Sequence, residues 1–531
     1  MIRNAKPTLF FLLFVLSTAV FPQGDVDFIN GVLLDSETNE PVVFATVRLK
    51  GRALGVISNN DGSFQVPTEF QLKGEELEIS SMGYQTKTIT FSDLNADGVN
   101  RIYLMPATFE LAETVVEGKR KRRPTAKQII RFAFERIPDN YSNDPFGLIG
   151  YYRDYQFKEQ EYINLNEALV KVLDQGFSVD DYRSIQFGLF DYATNRNFKI
   201  DSFAAKPYDY SNRDKVVPNA TFGTTYAPNE LVLLFIHDAI RNHGINAYSY
   251  VYTMVDDFIK EHRFLGVKNT SYGNQKVYQI KFRKTETPFQ VRGTIYIDET
   301  SFAIRRLDYA VFKQKLDDEA PGRYSSLDKD LLYEILVEYK DFEGRMYLNY
   351  ISFHNQFKLV RPPKFSIENV IVNPTYRYLQ VFLNKPPANW YDLKKNDFQV
   401  RYRGKLVKIE SAYQTPGTRP NFIIRFPKKN PFQRKLLNLL FSKTEDVKKA
   451  SLSIIVEDMV DASGNPLGER KSETMDQFRE FFAQKILKDS LDESSAVFKE
   501  FPLGHPKQPK LDRLLGKDFW MNTPLKNNPQ Q

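Results

Sequence analysis

Between Gly31 and Tyr84 no alternating apolar run outlasts a short strand before a turn signal cuts it, which confines this stretch to a small antiparallel β-fold. Phe28 to Leu34 reads as one strand and Asp35 to Asn39 as a turn. Ala45, Val47 and Leu49 alternate with Thr46, Arg48 and Lys50, the pattern of a half-buried strand. Asn59-Asn60-Asp61-Gly62 supplies the positive-φ residues of a tight hairpin, and Phe64 and Val66 start the return strand. Leu77, Ile79 and Ser81 form another strand, Met82-Gly83-Tyr84 turns out of it, and Thr86 to Phe91 continues. The spacing predicts a β-sandwich over 28–105. Ala45 and Gly62 serve packing and turns, and nothing here pairs a nucleophile with a base.

The order and spacing of Gly31, Asp35, Pro41, Ala45, Val47, Asn60-Asp61-Gly62, Phe64, Ile79-Ser80 and Gly83-Tyr84 resemble the carboxypeptidase regulatory-like (CarboxypepD_reg-like) domain, common in exported proteins of Bacteroidota. The resemblance implies a transthyretin/Ig-like accessory module and no peptidase activity. The same module precedes the plug of many TonB-dependent transporters. There it is followed by a segment similar to Glu113-Thr114-Val115-Val116, which makes these four residues candidates for binding a partner by strand addition. The plainer reading is a final strand plus linker. No transporter barrel is expected, because helical stretches interrupt the strand alternation that follows.

Arg3 and Lys6 precede the apolar run Leu9 to Val20, which is too short to span a bilayer, so 1–23 reads as a cleaved secretory signal. No later segment reads as a transmembrane span. The chain has no cysteine, which excludes disulfides, thiolate metal sites, cysteine nucleophiles and a lipid-modified cysteine. A formal charge of +7 over 531 residues is too mild to argue for nucleic acid. An exported location follows, periplasmic, outer-membrane-associated or at the cell surface.

Gly118 to Pro124 is a basic run, and 106–124 reads as a linker. A central α+β domain is expected over 125–360. It opens with a helix in which Thr125 and Gln128 fit a capping box, Ala126, Ile129, Ile130, Ala133 and Ile137 share one face, and Pro138 ends the helix. Gly147 to Phe177 is aromatic and strand-like, and a buried helix is predicted from Asn229 to His243, stopped by Gly244. Strands follow at His262–Lys268, Lys276–Phe282, Val291–Asp298, Ala303–Val311, Tyr333–Tyr339 and Arg345–Phe353, with turns at Gly273-Asn274 and Glu343-Gly344. This succession resembles periplasmic lipoprotein-carrier half-barrels, which implies a curved sheet with a cavity for an apolar ligand; the plainer reading is a filled core. An Ig-like sandwich is predicted over 370–468, since a strand ending Asp461-Ala-Ser-Gly-Asn-Pro-Leu467 resembles bacterial Ig-like modules. Ser472 to Leu487 reads as a helix within 469–490, with Met475, Phe478, Phe482 and Ile486 as its stripe, and 491–531 as a poorly ordered tail.

No catalytic, cofactor or metal residue is assigned. The histidines are His237, His243, His262, His354 and His505, and none begins a zinc-enzyme motif. No nucleophile elbow or phosphate-binding loop occurs. Asp93 to Gly98 begins like a calcium loop, but Leu104 stands where a bidentate Glu is needed, so it reads as a turn. The adjacent carboxylates at Asp180-Asp181, Asp256-Asp257 and Asp317-Asp318 cannot share a strand face. The expectation is a multidomain, mainly β, non-enzymatic envelope accessory or binding protein. Its partners would be envelope proteins, or an apolar or glycan ligand. The alternatives are a component coupled to TonB-dependent uptake and an enzyme with its site in the central domain.

Overall fold

A computed structural model describes residues 27–52, 54–107, 123–179, 182–218, 228–245, 256–273, 275–317, 324–427, 433–442, 451–487, 496–512, 519–520 and 522. The predicted signal, Glu113 to Val116 and Asp180-Asp181 lie outside them.

The first unit contains strands β1 (Phe28–Asp35), β2 (Thr46–Leu49), β3 (Gly55–Ile57) and β4 (Ser63–Pro67), helix α1 (Glu69–Leu72), and strands β5 (Glu76–Ser80), β6 (Lys87–Thr90) and β7 (Val99–Leu104). Two sheets, ordered β4-β1-β7 and β3-β2-β5-β6, close over Ile29, Leu33, Ala45, Val47, Phe64, Leu77 and Ile79. Gly31 is required because a Cβ there would stand 2.4 Å from the Phe64 ring. Two expectations change. Asn59 to Gly62 is not the turn of a two-strand hairpin: Gly62 has the expected positive φ of 75°, but β3 and β4 belong to opposite sheets, so the turn is a corner between layers. The sandwich is also not wholly antiparallel, since β7 pairs parallel to β1 after the chain crosses between sheets.

The central unit begins with α2 (Ala126–Glu135), where the Thr125/Gln128 capping box forms and Ile129, Ile130 and Ala133 are buried. Pro138 does not end a single helix. It sits in the first turn of a short helix, α3 (Ile137–Asn140), where its missing N–H is harmless. Strands β8 (Phe146–Lys158), β9 (Glu161–Asp174), β10 (Gln186–Thr194) and β11 (Lys215–Val216) precede helices α4 (Glu230–Ile236) and α5 (Asp256–Glu261). A meander follows: β12 (Arg263–Tyr272), β13 (Gln275–Glu286), β14 (Phe289–Asp298), β15 (Ile304–Leu316), β16 (Tyr324–Phe342) and β17 (Arg345–Val360). Helix α4 is shorter than expected. It starts at the predicted Asn229 cap but stops at His237, where the Asp238 carboxylate accepts from the Ile240 and Arg241 N–H groups and opens a new turn.

The chain then leaves the sheet for a module of β18 (Ile367–Asn373), β19 (Tyr378–Leu383), β20 (Phe398–Tyr402), β21 (Lys405–Val407), β22 (Ser411–Gln414), β23 (Asn421–Arg425), α6 (Arg434–Leu440) and β24 (Leu452–Val456). Its sheets, β18-β19-β23-β22 and β21-β20-β24, enclose a core around Val381, Val400, Phe422 and Ile424. Asp461 closes it by accepting from the Ser463 and Asn465 N–H groups.

The predicted helix at Ser472 to Leu487 is a strand, β25 (Ser472–Leu487), in the middle of the large sheet. The eleven-stranded sheet runs β10-β9-β8-β25-β17-β16-β15-β14-β13-β12, with β11 beside β17. Burial in β25 follows a period of two from Met475 through Gln477 to Arg479, and from Arg479 to Gln484, where both faces are covered, every residue is buried. Polar Gln477 and Arg479 on the inner face broke the apolar alternation, and the remaining apolar residues mimicked a helical stripe. The central unit therefore does not end at 360 but resumes at 472. Nor is the tail after 491 unordered throughout. Val497 N–H donates to the Phe187 carbonyl and Leu511 N–H to that of Leu189, which covers the β10 edge. Trp520 packs 5.5 Å from Phe70 in the first sandwich.

One face of the large sheet is covered by α2, α4 and α5. Ile130, Leu231, Leu234 and Phe258 pack there against Val170, Ile295, Leu307, Val337 and Phe481. That side holds a filled core. The opposite face meets the first sandwich over part of its width, through Ile57 against Leu336, Tyr350 and Phe482, and is open beyond it. No helix of the described residues is long and apolar enough to cross a membrane.

Candidate functional site: a groove on the open sheet face

Successive antiparallel pairings place one residue from each strand in a row across the open face. The first row runs Arg263, Arg283, Arg292, Ala310, Glu334, His354, Phe478, Tyr155. The second runs Lys281, Thr294, Asp308, Leu336, Ser352, Glu480, Arg153. A groove of about 620 Å³ lies over these rows, with Phe44 of the first sandwich as one wall and Leu265 at the far end. Its size suits a drug-sized ligand.

Every carboxylate in this groove already has an internal partner. Asp308 pairs with Arg306 at 3.2 Å, Glu334 holds His354 Nδ1 at 3.0 Å, and Glu480 accepts from Arg153 Nε at 2.7 Å. Asp476 takes the other His354 nitrogen, Nε2, at 2.9 Å, and the ring lies 4.0 Å from Phe478 in a near-parallel stack. Burial presses His354 toward neutrality, but its hydrogen bonds to Asp476 and Glu334 outweigh this and hold its pKa above the ordinary histidine value. With both nitrogens donating, the imidazolium has no lone pair with which to accept a proton. The opposite holds at the basic end. Among the described residues Arg263, Lys281 and Arg283 are exposed and have no carboxylate partner, while Arg292 Nε donates to Gln290 at 3.0 Å.

The helix-covered side contains a second polar site, a small chamber of about 80 Å³ whose lining includes Tyr152, Asp154, Gln156, Lys215, Glu230 and Gln477. Burial and the nearby Glu230 push the Asp154 carboxyl up to about 7. Burial lowers the Lys215 amine to about 8, although it donates to the Ala204 and Lys206 carbonyls. Arg479 donates to Glu230 and to the Asn355 and Tyr208 side chains.

The other histidines are packing residues. His237 stacks 4.0 Å from Phe353 and donates through Nδ1 to the Leu233 carbonyl, and burial drives it down to about 4. His262 packs at a tilt on Phe258, 4.4 Å between ring centroids. Asp93 to Gly98 is a turn held by Asn95 and Asn100 side chains. No group of His, Cys, Asp and Glu suited to a metal ion occurs among the described residues. Neither row was legible beforehand, because register joins residues far apart in the chain.

Residues 29–116 match the model of the CarboxypepD_reg-like domain. The chain carries a CarboxypepD_reg-like domain. The match takes in Glu113 to Val116. Among curated proteins, none matches the chain. Two solved structures are similar over part of it. One is a LolA superfamily protein from Nitrosomonas europaea, 11% identical, covering 44% of this chain and 86% of that one, with a TM-score of 0.18. The other is a putative outer membrane lipoprotein-sorting protein domain from Vibrio parahaemolyticus, 10% identical, covering 43% and 84%, also at 0.18. Scores this low do not define a shared fold.

The CarboxypepD_reg-like domain is joined to the large sheet by polar contacts. Arg153 Nη2 donates to Asn59 Oδ1 at 2.6 Å, and its Nη1 donates to the Asn522 carbonyl at 3.0 Å. Asn522 in turn donates to the Ile57 carbonyl, and Gln484 to that of Gly55. Phe44 stacks on Tyr350 at 5.3 Å. In the domain's own pattern, Asp35 and Tyr84 form a tie, with the Tyr84 hydroxyl donating to Asp35 at 2.8 Å.

Proposed function

We propose that this chain is a non-enzymatic accessory protein of the cell envelope that binds a ligand in the open-face groove, with the CarboxypepD_reg-like domain forming one wall. The observation that carries this reading is the asymmetry of commitment in the groove. Its acids and His354 are occupied by one another or by neighbouring cations, while the guanidinium and ammonium groups at one end face outward. Such a surface holds a molecule but offers it no free base. The basic start and apolar run of 1–23 support export, and the family of the first domain supports an accessory role.

The test is to express the full chain with its leader, purify it from the envelope fraction and identify co-purifying small molecules by mass spectrometry. A defined molecule retained by the native chain and lost from Ala310→Phe, which fills the groove floor, is the expected result. Turnover of chromogenic ester, phosphoester or peptide substrates by the purified chain would overturn the non-enzymatic reading.

One observation favours a second reading, an enzyme with its site in the central domain. Asp154 and Lys215 share a chamber in which both titrate near neutrality, a condition suited to proton transfer. Turnover abolished by Asp154→Asn, with stability kept, would move the function there.

A further inference from the structure

Deepening the binding reading on which it rests, we infer that the groove takes an amphiphilic anion, with its phosphate or carboxylate head at Arg283, Arg292 and Lys281 and its apolar body over Ala310, Leu336 and Phe44. The argument starts from the register. Arg263 faces Arg283 directly, and Arg283 faces Arg292, so three like charges stand side by side on neighbouring strands. Neighbouring strands lie only about 4.8 Å apart, and like charges directly opposite one another destabilise a sheet. Lys281 adds a fourth cation in the adjacent row. Lys329 donates to the same Gln290 oxygen that accepts from Arg292, and both cations lie over the Phe312 ring. Charge of one sign is therefore gathered at a site where, among the described residues, no carboxylate offsets it at Arg263, Lys281, Arg283 or Arg292.

An anion supplies what is missing. Guanidinium groups bind carboxylate and phosphate oxygens with two parallel hydrogen bonds, and the planar forks of Arg283 and Arg292 stand on adjacent strands. The remaining groove is not built for a second charge. From Arg292 the first row passes to Ala310, the second row contributes Leu336, and Phe44 closes the side. Asp308 stands between Thr294 and Leu336, and Glu334 follows Ala310, but each is paired with a neighbouring cation, Asp308 with Arg306 and Glu334 with His354. A charged head with an apolar body matches this order of surfaces. A free inorganic anion matches only its basic end, and an uncharged amphiphile matches only the remainder.

The experiment is isothermal titration of the full chain, below the micellar concentration, with decyl phosphate, inorganic phosphate and decyl maltoside. Decyl phosphate is expected to bind with one-to-one stoichiometry, at least tenfold tighter than either other probe, and to weaken as salt rises. The double variant Arg283→Gln/Arg292→Gln is expected to lose at least tenfold in affinity while still melting cooperatively, because besides repulsion it removes only the Arg292 bond to Gln290 and its contact with Phe312. Equal binding by the double variant, or equal binding of decyl maltoside or of inorganic phosphate, overturns the inference. If a co-purified ligand is still lost from Ala310→Phe while decyl phosphate fails to bind, the inference falls and the binding reading stands. If Ala310→Phe retains its ligand, the reading itself falls.

Discussion

Val360 and Ser472 face each other as register partners at the ends of adjacent strands, although the whole β18–β24 module lies between them in sequence. Arg361 N–H donates to the Lys471 carbonyl just beyond, so the chain leaves and re-enters the sheet through one narrow neck. The module is an insertion with its own core. Replacing 363–469 with a short Asn-Gly turn is expected to leave the large sheet folded, because such a turn matches the twist of an antiparallel pair. Far-ultraviolet circular dichroism and a single cooperative melt would check this. Loss of cooperative unfolding would show that the sheet depends on the module.

Arg153 is the cation on which the docking of the first domain converges, and it is 1% exposed. Arg153→Met leaves Glu480 buried without its partner and is expected to destabilise by about 3–5 kcal/mol in urea unfolding. Adding Glu480→Gln is expected to recover part of that loss, since it removes the orphaned charge.

His354 makes stability depend on pH in a known direction. Its folded pKa is raised above the ordinary value near 6.5, so its ion pairs contribute fully below that pH and are lost as pH rises through the folded pKa. The melting temperature of the native chain relative to His354→Gln should therefore be highest at pH 6 and fall toward pH 9. A difference constant across that range would contradict the doubly bonded imidazolium.

Lys340 predicts the reverse slope. It is buried between sheet and sandwich, its Nζ has no hydrogen-bond partner among the described residues, and burial lowers it to about 7. An amine with a depressed folded pKa is penalised progressively as pH falls from its unfolded value near 10.5 to about 7. Lys340→Met is expected to raise the melting temperature, more at pH 7 than at pH 10.

Trp520 anchors the tail in the first domain. Its indole N–H donates to the Gln65 carbonyl at 3.1 Å, and it is 7% exposed. Trp520→Ala is expected to destabilise by about 3 kcal/mol. With Trp390 replaced by Phe, the emission of Trp520 reports docking directly, and Arg153→Met should shift it to the red.

The sequence was most readable where one element satisfies itself. The Thr125/Gln128 capping box, the buried face of α2 and the positive φ of Glu343 and Gly344 in the β16–β17 turn each depend on neighbours a few residues away. It was least readable where partners are distant. β25 holds Gln477 and Arg479 on its inner face because Gln156, Glu230 and Asn355 wait there, and no local pattern announces them. The groove is the extreme case, since Arg263, Arg283 and Arg292 are unremarkable surface residues until register sets them side by side. The polar, proline-rich composition of the tail likewise concealed a few apolar anchors, Val497, Leu503 and Trp520.

The strand made late is the one the sheet needs in its middle. β25 lies between β8 and β17, so while the ribosome is still translating the inserted module both neighbours expose a full row of unpaired backbone groups. Two bare edges that long are templates for pairing with another chain. Nascent or truncated chains that stop before Ser472 should therefore be held by chaperones or aggregate, whereas a break within the module, after β17 is complete, would be harmless only if the two pieces stayed together.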